Sequence, residues 1–97
     1  MHVYPFRTTI TTSTGAGSAN TLNIVGGLCK HVIVTPTTAG GQFKATLTDA
    51  SSVVVRTWDY SIKIDDQDPL ILAGIYTFDI TNAANDEIHN ILMMIQE

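Results

Sequence analysis

A chain of 97 residues with a hydrophobic fraction of 44% can build one core, and two independent cores are implausible at this size. The charged fraction of 14% is low against the usual ~25%. The longest apolar run, the five residues Ile91–Ile95, excludes a transmembrane helix. Three bases in the first 48 residues (Arg7, Lys30, Lys44) are too sparse for a nucleic-acid footprint.

The net charge of −4 is divided unevenly. Residues 1–48 carry +3 and no acid, whereas residues 49–97 hold all nine acids against Arg56 and Lys63, for −7. This asymmetry is either chance in a weakly charged chain or the mark of two unlike faces that pack on copies of the same molecule. Fourteen threonines take the place of charges, and their β-branched side chains favour a pleated, half-exposed surface. Cys29 is the only cysteine, so no disulfide within the chain is expected. MHVYPFRTT lacks the basic region and long apolar run of a signal peptide, and a protein made and folded in a reducing cytoplasm is expected.

In chain order, residues 2–12 alternate, with Tyr4, Phe6, Thr8 and Ile10 on one face; Pro5 puts this strand at an edge or delays its start. Residues 12–20 are small and polar and read as an exposed loop. A short strand over 21–25 joins Leu22 with Ile24 and ends at Gly26-Gly27; another spans 28–35; residues 36–41 form a second loop. Residues 42–49 alternate cleanly, Phe43, Ala45 and Leu47 against Lys44, Thr46 and Thr48. Asp49-Ala50-Ser51-Ser52 predicts a hairpin turn into 53–58, with Val53 and Val55 opposite Arg56. Ile62 and Ile64 share a face in 59–65, and Asp66–Pro69 breaks that run.

The C-terminal LAGIYTFDITNAANDEIHNILMMIQE reads as a hairpin. A strand from Ala73 places Tyr76, Phe78 and Ile80 together, and Asn82–Asp86 turns into a final strand, Glu87–Gln96. A helix over Asn85–Gln96, capped by Asn85, is the competing reading. Ile91–Ile95 is apolar on both faces and asks for cover on both, from the chain itself or from another subunit. About eight strands at this spacing predict an all-β fold, a single antiparallel β-sandwich of jelly-roll type over 1–97.

Few residues suggest chemistry. Asp65, Asp66 and Asp68 could hold Ca²⁺, although Pro69 stands where an EF-hand loop needs glycine; the alternative is a solvated turn that discourages edge pairing. His2, His31 and His89 lie far apart; Cys29 and His31 could share a strand face as two zinc ligands, or Cys29 is a small buried hydrophobe. Gly15-Ala16-Gly17 lacks the third glycine of a dinucleotide fingerprint, and no catalytic motif is present, so neither an enzyme nor a cofactor is expected. Tyr4, Trp58 and Tyr60 could stack on sugars, or pack in the core or at a subunit contact.

Three segments carry a resemblance: Phe43–Ala50, Val53-Val54-Val55 and Ala73–Ala83, the last reading AGIYTFDITNA. Their "TLTDA…VV…GIYTF.IT" rhythm resembles the second half of small phage virion proteins, over roughly residues 28–97. A G-x-Y-T-x-x-I strand also occurs in bacterial sugar-binding and cell-surface modules. The resemblance implies a capsid decoration (cement) protein, trimeric and jelly-roll-like, whose partners are the major capsid protein and copies of itself. A neck, tail or fibre component and a carbohydrate-binding module are the other two readings. The candidate contacts are Tyr4 and Phe6 near the N-terminus and Ile91, Met93 and Ile95 near the C-terminus.

Overall fold

Period-2 burial runs through most of the chain and divides it between two antiparallel sheets with one apolar layer between them. The computed structural model describes residues 3–21, 23–37, 41–84 and 86–97, leaving aside the side chains of Val25, Tyr60 and Ser61. The strands are β1 (Val3–Thr11), β2 (Gly17–Asn20), β3 (Ile24–Pro36), β4 (Phe43–Thr48), β5 (Val54–Ser61), β6 (Ile64–Asp66), β7 (Leu70–Gly74), β8 (Thr77–Thr81) and β9 (Ile88–Gln96).

One sheet runs β1-β9-β3-β6, with β7 also on β3, and the other runs β2-β8-β4-β5. β6 pairs with residues 32–34 of β3 and β7 with residues 24–29, so the two occupy one lane as a broken strand. Taken so, eight lanes divide four and four, with the chain passing repeatedly between sheets, which is jelly-roll order. The all-β sandwich is therefore the fold.

The interior is filled by alternate residues of both sheets. Phe6 and Ile10 of β1, Ile91, Met93 and Ile95 of β9 and Val32 and Val34 of β3 meet Phe43, Ala45 and Leu47 of β4 and Phe78 and Ile80 of β8. Burying each such side chain contributes ~1.5–3 kcal/mol. β1 is an edge strand that keeps Pro5 inside it, opposite Met94 of β9, so the missing N–H leaves the pairing intact.

Several expected boundaries move. Residues 12–20 are not one loop: Thr14 and Gly15, both at positive φ, make a two-residue turn closed by Ser13–Ala16 bonds, and β2 follows. Gly26-Gly27 does not end a strand but forms a bulge in a continuous β3, with Gly26 at φ +93°. The C-terminal hairpin is not formed. β8 lies in the four-stranded sheet and β9 in the five-stranded one, because the chain turns corners at Gly74, Asn82 and Asp86, all at positive φ. Residues 88–96 are strand rather than helix. Ile62 is 58% exposed while Ile64 is buried, since a bend at 62–63 separates β5 from β6. The hairpin turn at Asp49 holds as expected, its Oδ1 accepting from the N–H groups of Ser51 and Val53 at 2.9 Å. Leu22, residues 38–40, Asn85 and His2 lie outside the described residues.

Candidate functional site

Three places combine polar chemistry with defined geometry: the acidic corner, a buried pair at one end of the sandwich, and the outer face of the five-stranded sheet. At the corner, β5 forms an edge of one sheet and β6 lies on the edge of the other. Arg56 and Trp58 lie opposite Leu47 and Ala45 of β4, so period 2 puts them on one face, and both reach Asp66 of β6. Trp58 stacks on Phe78 at 5.6 Å and donates its indole N–H to Asp66 at 2.8 Å. Arg56 donates to Asp66 at 3.3 Å, to the Asp68 carbonyl at 2.7 Å and to the Asp68 carboxylate at 3.3 Å. Burial pushes the Asp66 carboxyl up, but the Asp68 N–H, the Trp58 indole and the Arg56 guanidinium outweigh it and hold the group below its usual range.

Asp66 and Asp68 therefore close a seam between the sheets rather than converge with Asp65 on a cation. Asp65 turns the other way to His31, and the described residues contain no grouping of three metal-ligating side chains. Trp58 is half-buried with both its ring and its N–H engaged. Tyr4 packs on the core, and the Tyr60 side chain lies outside the described residues. Cys29 and His31 do not share a face. A bulge between them sends Cys29 into the core and His31 outward, leaving the thiol to donate to the His31 carbonyl at 3.6 Å. Burial pushes the Cys29 thiol up, against weaker lowering by that bond and by Arg56, so the group is inert.

The buried pair is Glu87 and His89. Both continue the inward phase of Ile91, Met93 and Ile95, and their side chains are 3% and 0% exposed. His89 Nε2 lies 3.3 Å from Glu87 Oε1, and the imidazole meets Phe43 edge-on at 5.0 Å. Both ring nitrogens and Glu87 Oε2 have no hydrogen bond among the described residues. Thr12, itself fully buried, fixes the backbone here: its hydroxyl accepts from the Glu87 N–H at 3.1 Å and donates to the Ala84 carbonyl at 2.5 Å. A histidine beside a carboxylate is familiar from catalysis, but this one is sealed from solvent.

The outer face of the five-stranded sheet has an apolar centre. Leu92 and Met94 point outward, opposite in phase to the buried Ile91, Met93 and Ile95, and Ile33 does the same on β3. Beside them Ile71 is 88% exposed and Val3 45%. A shallow depression of about 580 Å³ is lined by Arg7, Thr9, Ile33, Thr35, Asn90 and Leu92. The opposite outer face is polar at its centre, where Ser18, Asp79, Thr46 and Thr57 stand in one row, with Val54 exposed at its β5 edge.

This placement corrects the candidate contacts. Ile91, Met93 and Ile95 are at most 2% exposed and Phe6 is 8%, so all four belong to the core, with their cover supplied by β4 and β8. The other side of β9, at Leu92 and Met94, is only half-buried. The chain matches no protein family and no curated protein.

Proposed function

We propose that the chain is a non-enzymatic structural subunit of a phage virion, a capsid decoration protein that stabilises the head shell. The observation that carries the structural reading is the outer face of the five-stranded sheet, apolar and half-buried at its centre, at Ile33, Leu92 and Met94, with Val3 and Ile71 exposed at its edges. A single-domain protein with such a face works joined to another surface. The virion setting is what the AGIYTFDITNA strand and its companions imply, and the jelly-roll sandwich supports it at the level of fold alone. The partners are then the major capsid protein and further copies of this chain, and the place of action is the outside of a capsid assembled in the host cytoplasm. Such a subunit acts through many weak contacts repeated over the shell.

Antibody raised against the purified chain, applied to particles released from the host and viewed by electron microscopy, tests the reading. Label over the head shell is expected. Label at the neck, tail or fibres would give the alternative structural role, and antigen found only in the soluble cell fraction would overturn both.

A further inference from the structure

On the outer face of the five-stranded sheet the register sets four residues in one row across the strands. Arg7 of β1 lies opposite Leu92 of β9, Leu92 opposite Ile33 of β3, and Ile33 opposite Asp65 of β6. The row is a cation at one edge, two apolar residues in the middle and an anion at the other edge, Asp65, which is paired with His31 yet keeps its side chain 51% exposed. Arg7 is exposed and forms no ion pair among the described residues. A second row reads Val3, Gln96, Leu28, Ile71, with its two most exposed apolar side chains at opposite edges.

One operation brings both rows onto their own reverse, the first matching throughout and the second at its edges, with Gln96 against Leu28 in its middle. A two-fold axis parallel to the strands, midway between β9 and β3, lays the face on a second copy with each row reversed. Arg7 then faces the second copy's Asp65, Leu92 faces Ile33, and Val3 faces Ile71, each contact occurring twice. We infer that this face binds a second copy of the chain, sheet on sheet, through that two-fold arrangement. Sheets stacked in this way sit ~10 Å apart, within reach of an arginine on one and an aspartate on the other. The molecule measures 38 × 25 × 19 Å, so its broad face can supply the ~800 Å² per partner of a standard interface. The polar outer face of the other sheet stays outside the pair. The inference rests on the assembly reading only for the premise that this face is covered in the working protein.

Sedimentation equilibrium of the full chain, with circular dichroism to check folding, tests it. The wild-type chain is a dimer. Arg7→Asp and Asp65→Arg, each placing like charges opposite one another at two sites, raise the dissociation constant about tenfold or more. The double variant R7D/D65R exchanges the charges and returns to within about threefold of wild type, as two restored pairs require. Leu92→Gln, in the middle of the row, weakens the dimer independently of charge. A wild-type monomer at high micromolar concentration overturns the inference. So does a trimer, or a dimer indifferent to the single reversals or not rescued by the double one. A monomeric chain whose antibody still labels capsid heads refutes this inference and leaves the virion reading standing; a dimer that labels no particle does the opposite.

Discussion

The Glu87–His89 pair offers the sharpest test of how the sandwich is held at its end. With the Glu87 side chain 3% and the His89 ring 0% exposed, water cannot take over from either partner. Replacing His89 by Phe preserves the edge-on packing against Phe43 but leaves a buried carboxylate without its partner. Replacing Glu87 by Met leaves the imidazole buried without the carboxylate that lies 3.3 Å from its Nε2. Breaking a buried pair from one side costs about 3–5 kcal/mol, whereas replacing both sides by apolar residues is often neutral or stabilising by about 1–4 kcal/mol. Each single substitution should therefore consume a large share of a total stability of ~5–15 kcal/mol, and the double variant should recover most of it. Urea unfolding followed by the fluorescence of Trp58, the only tryptophan, reads all four states of the cycle. At ~4–8 °C per kcal/mol for a domain of this size, each single variant loses on the order of 15 °C or more in Tm. Single variants within about 1 kcal/mol of wild type, or strictly additive effects, would refute the reasoning, because an exposed or unformed pair behaves that way.

Other substitutions probe neighbouring parts. Thr12→Val keeps the shape but strands the buried Glu87 N–H and should cost about 1–3 kcal/mol by urea unfolding, whereas Thr12→Ser should cost less. Asp66→Asn tests the seam: the folded carboxyl titrates below its unfolded value, so its contribution is full above the unfolded pKa and fades as pH falls through the folded one. The variant should be less stable at pH 7 and lose less stability on acidification; equal acid sensitivity in the two proteins would contradict the assignment. Gly17→Ala would set a Cβ 2.7 Å from the Ile10 side chain and 2.8 Å from the Thr11 carbonyl, so it should destabilise by about 1–3 kcal/mol in urea unfolding. Gly26→Ala meets no atom within 4 Å and should cost about 1–2 kcal/mol through its positive φ alone; a variant as stable as wild type would contradict that backbone role.

Strands with clean alternation were legible from the residues alone. FKATLT of β4 and TFDIT of β8 place their apolar members inward as period 2 requires, and Asp49 marks its turn through its own carboxylate. Strands defined by partners rather than by pattern were not. β2 is GSAN, four small or polar residues that carry no hydrophobic signal and become a strand only against β8. Gly26 has the composition of a terminator, but at φ +93° with open space around it the glycine bends β3 without ending it. Ile91–Ile95 reads as a strand and is one; which of its sides the chain itself covers depends on the stacking of β4 and β8, a long-range fact that local spacing does not encode. The Glu87–His89 pair was overlooked although a signal existed, since the alternation of Ile91, Met93 and Ile95 extends backward in phase through both residues.

Adjacent methionines on β9 allow the central claim, that the outer face of the five-stranded sheet is covered in the working protein, to be measured directly. Met93 is fully buried in the core, and Met94, the next residue, points out of that face. Limited peroxide oxidation followed by mass spectrometry would compare the dilute chain with the chain in its native assembly, Met93 serving as the internal control. The account predicts that Met94 is oxidised readily in the dilute chain and protected in the assembly, while Met93 is protected in both. Equal oxidation of Met94 in the two states, with Met93 still protected, would contradict it.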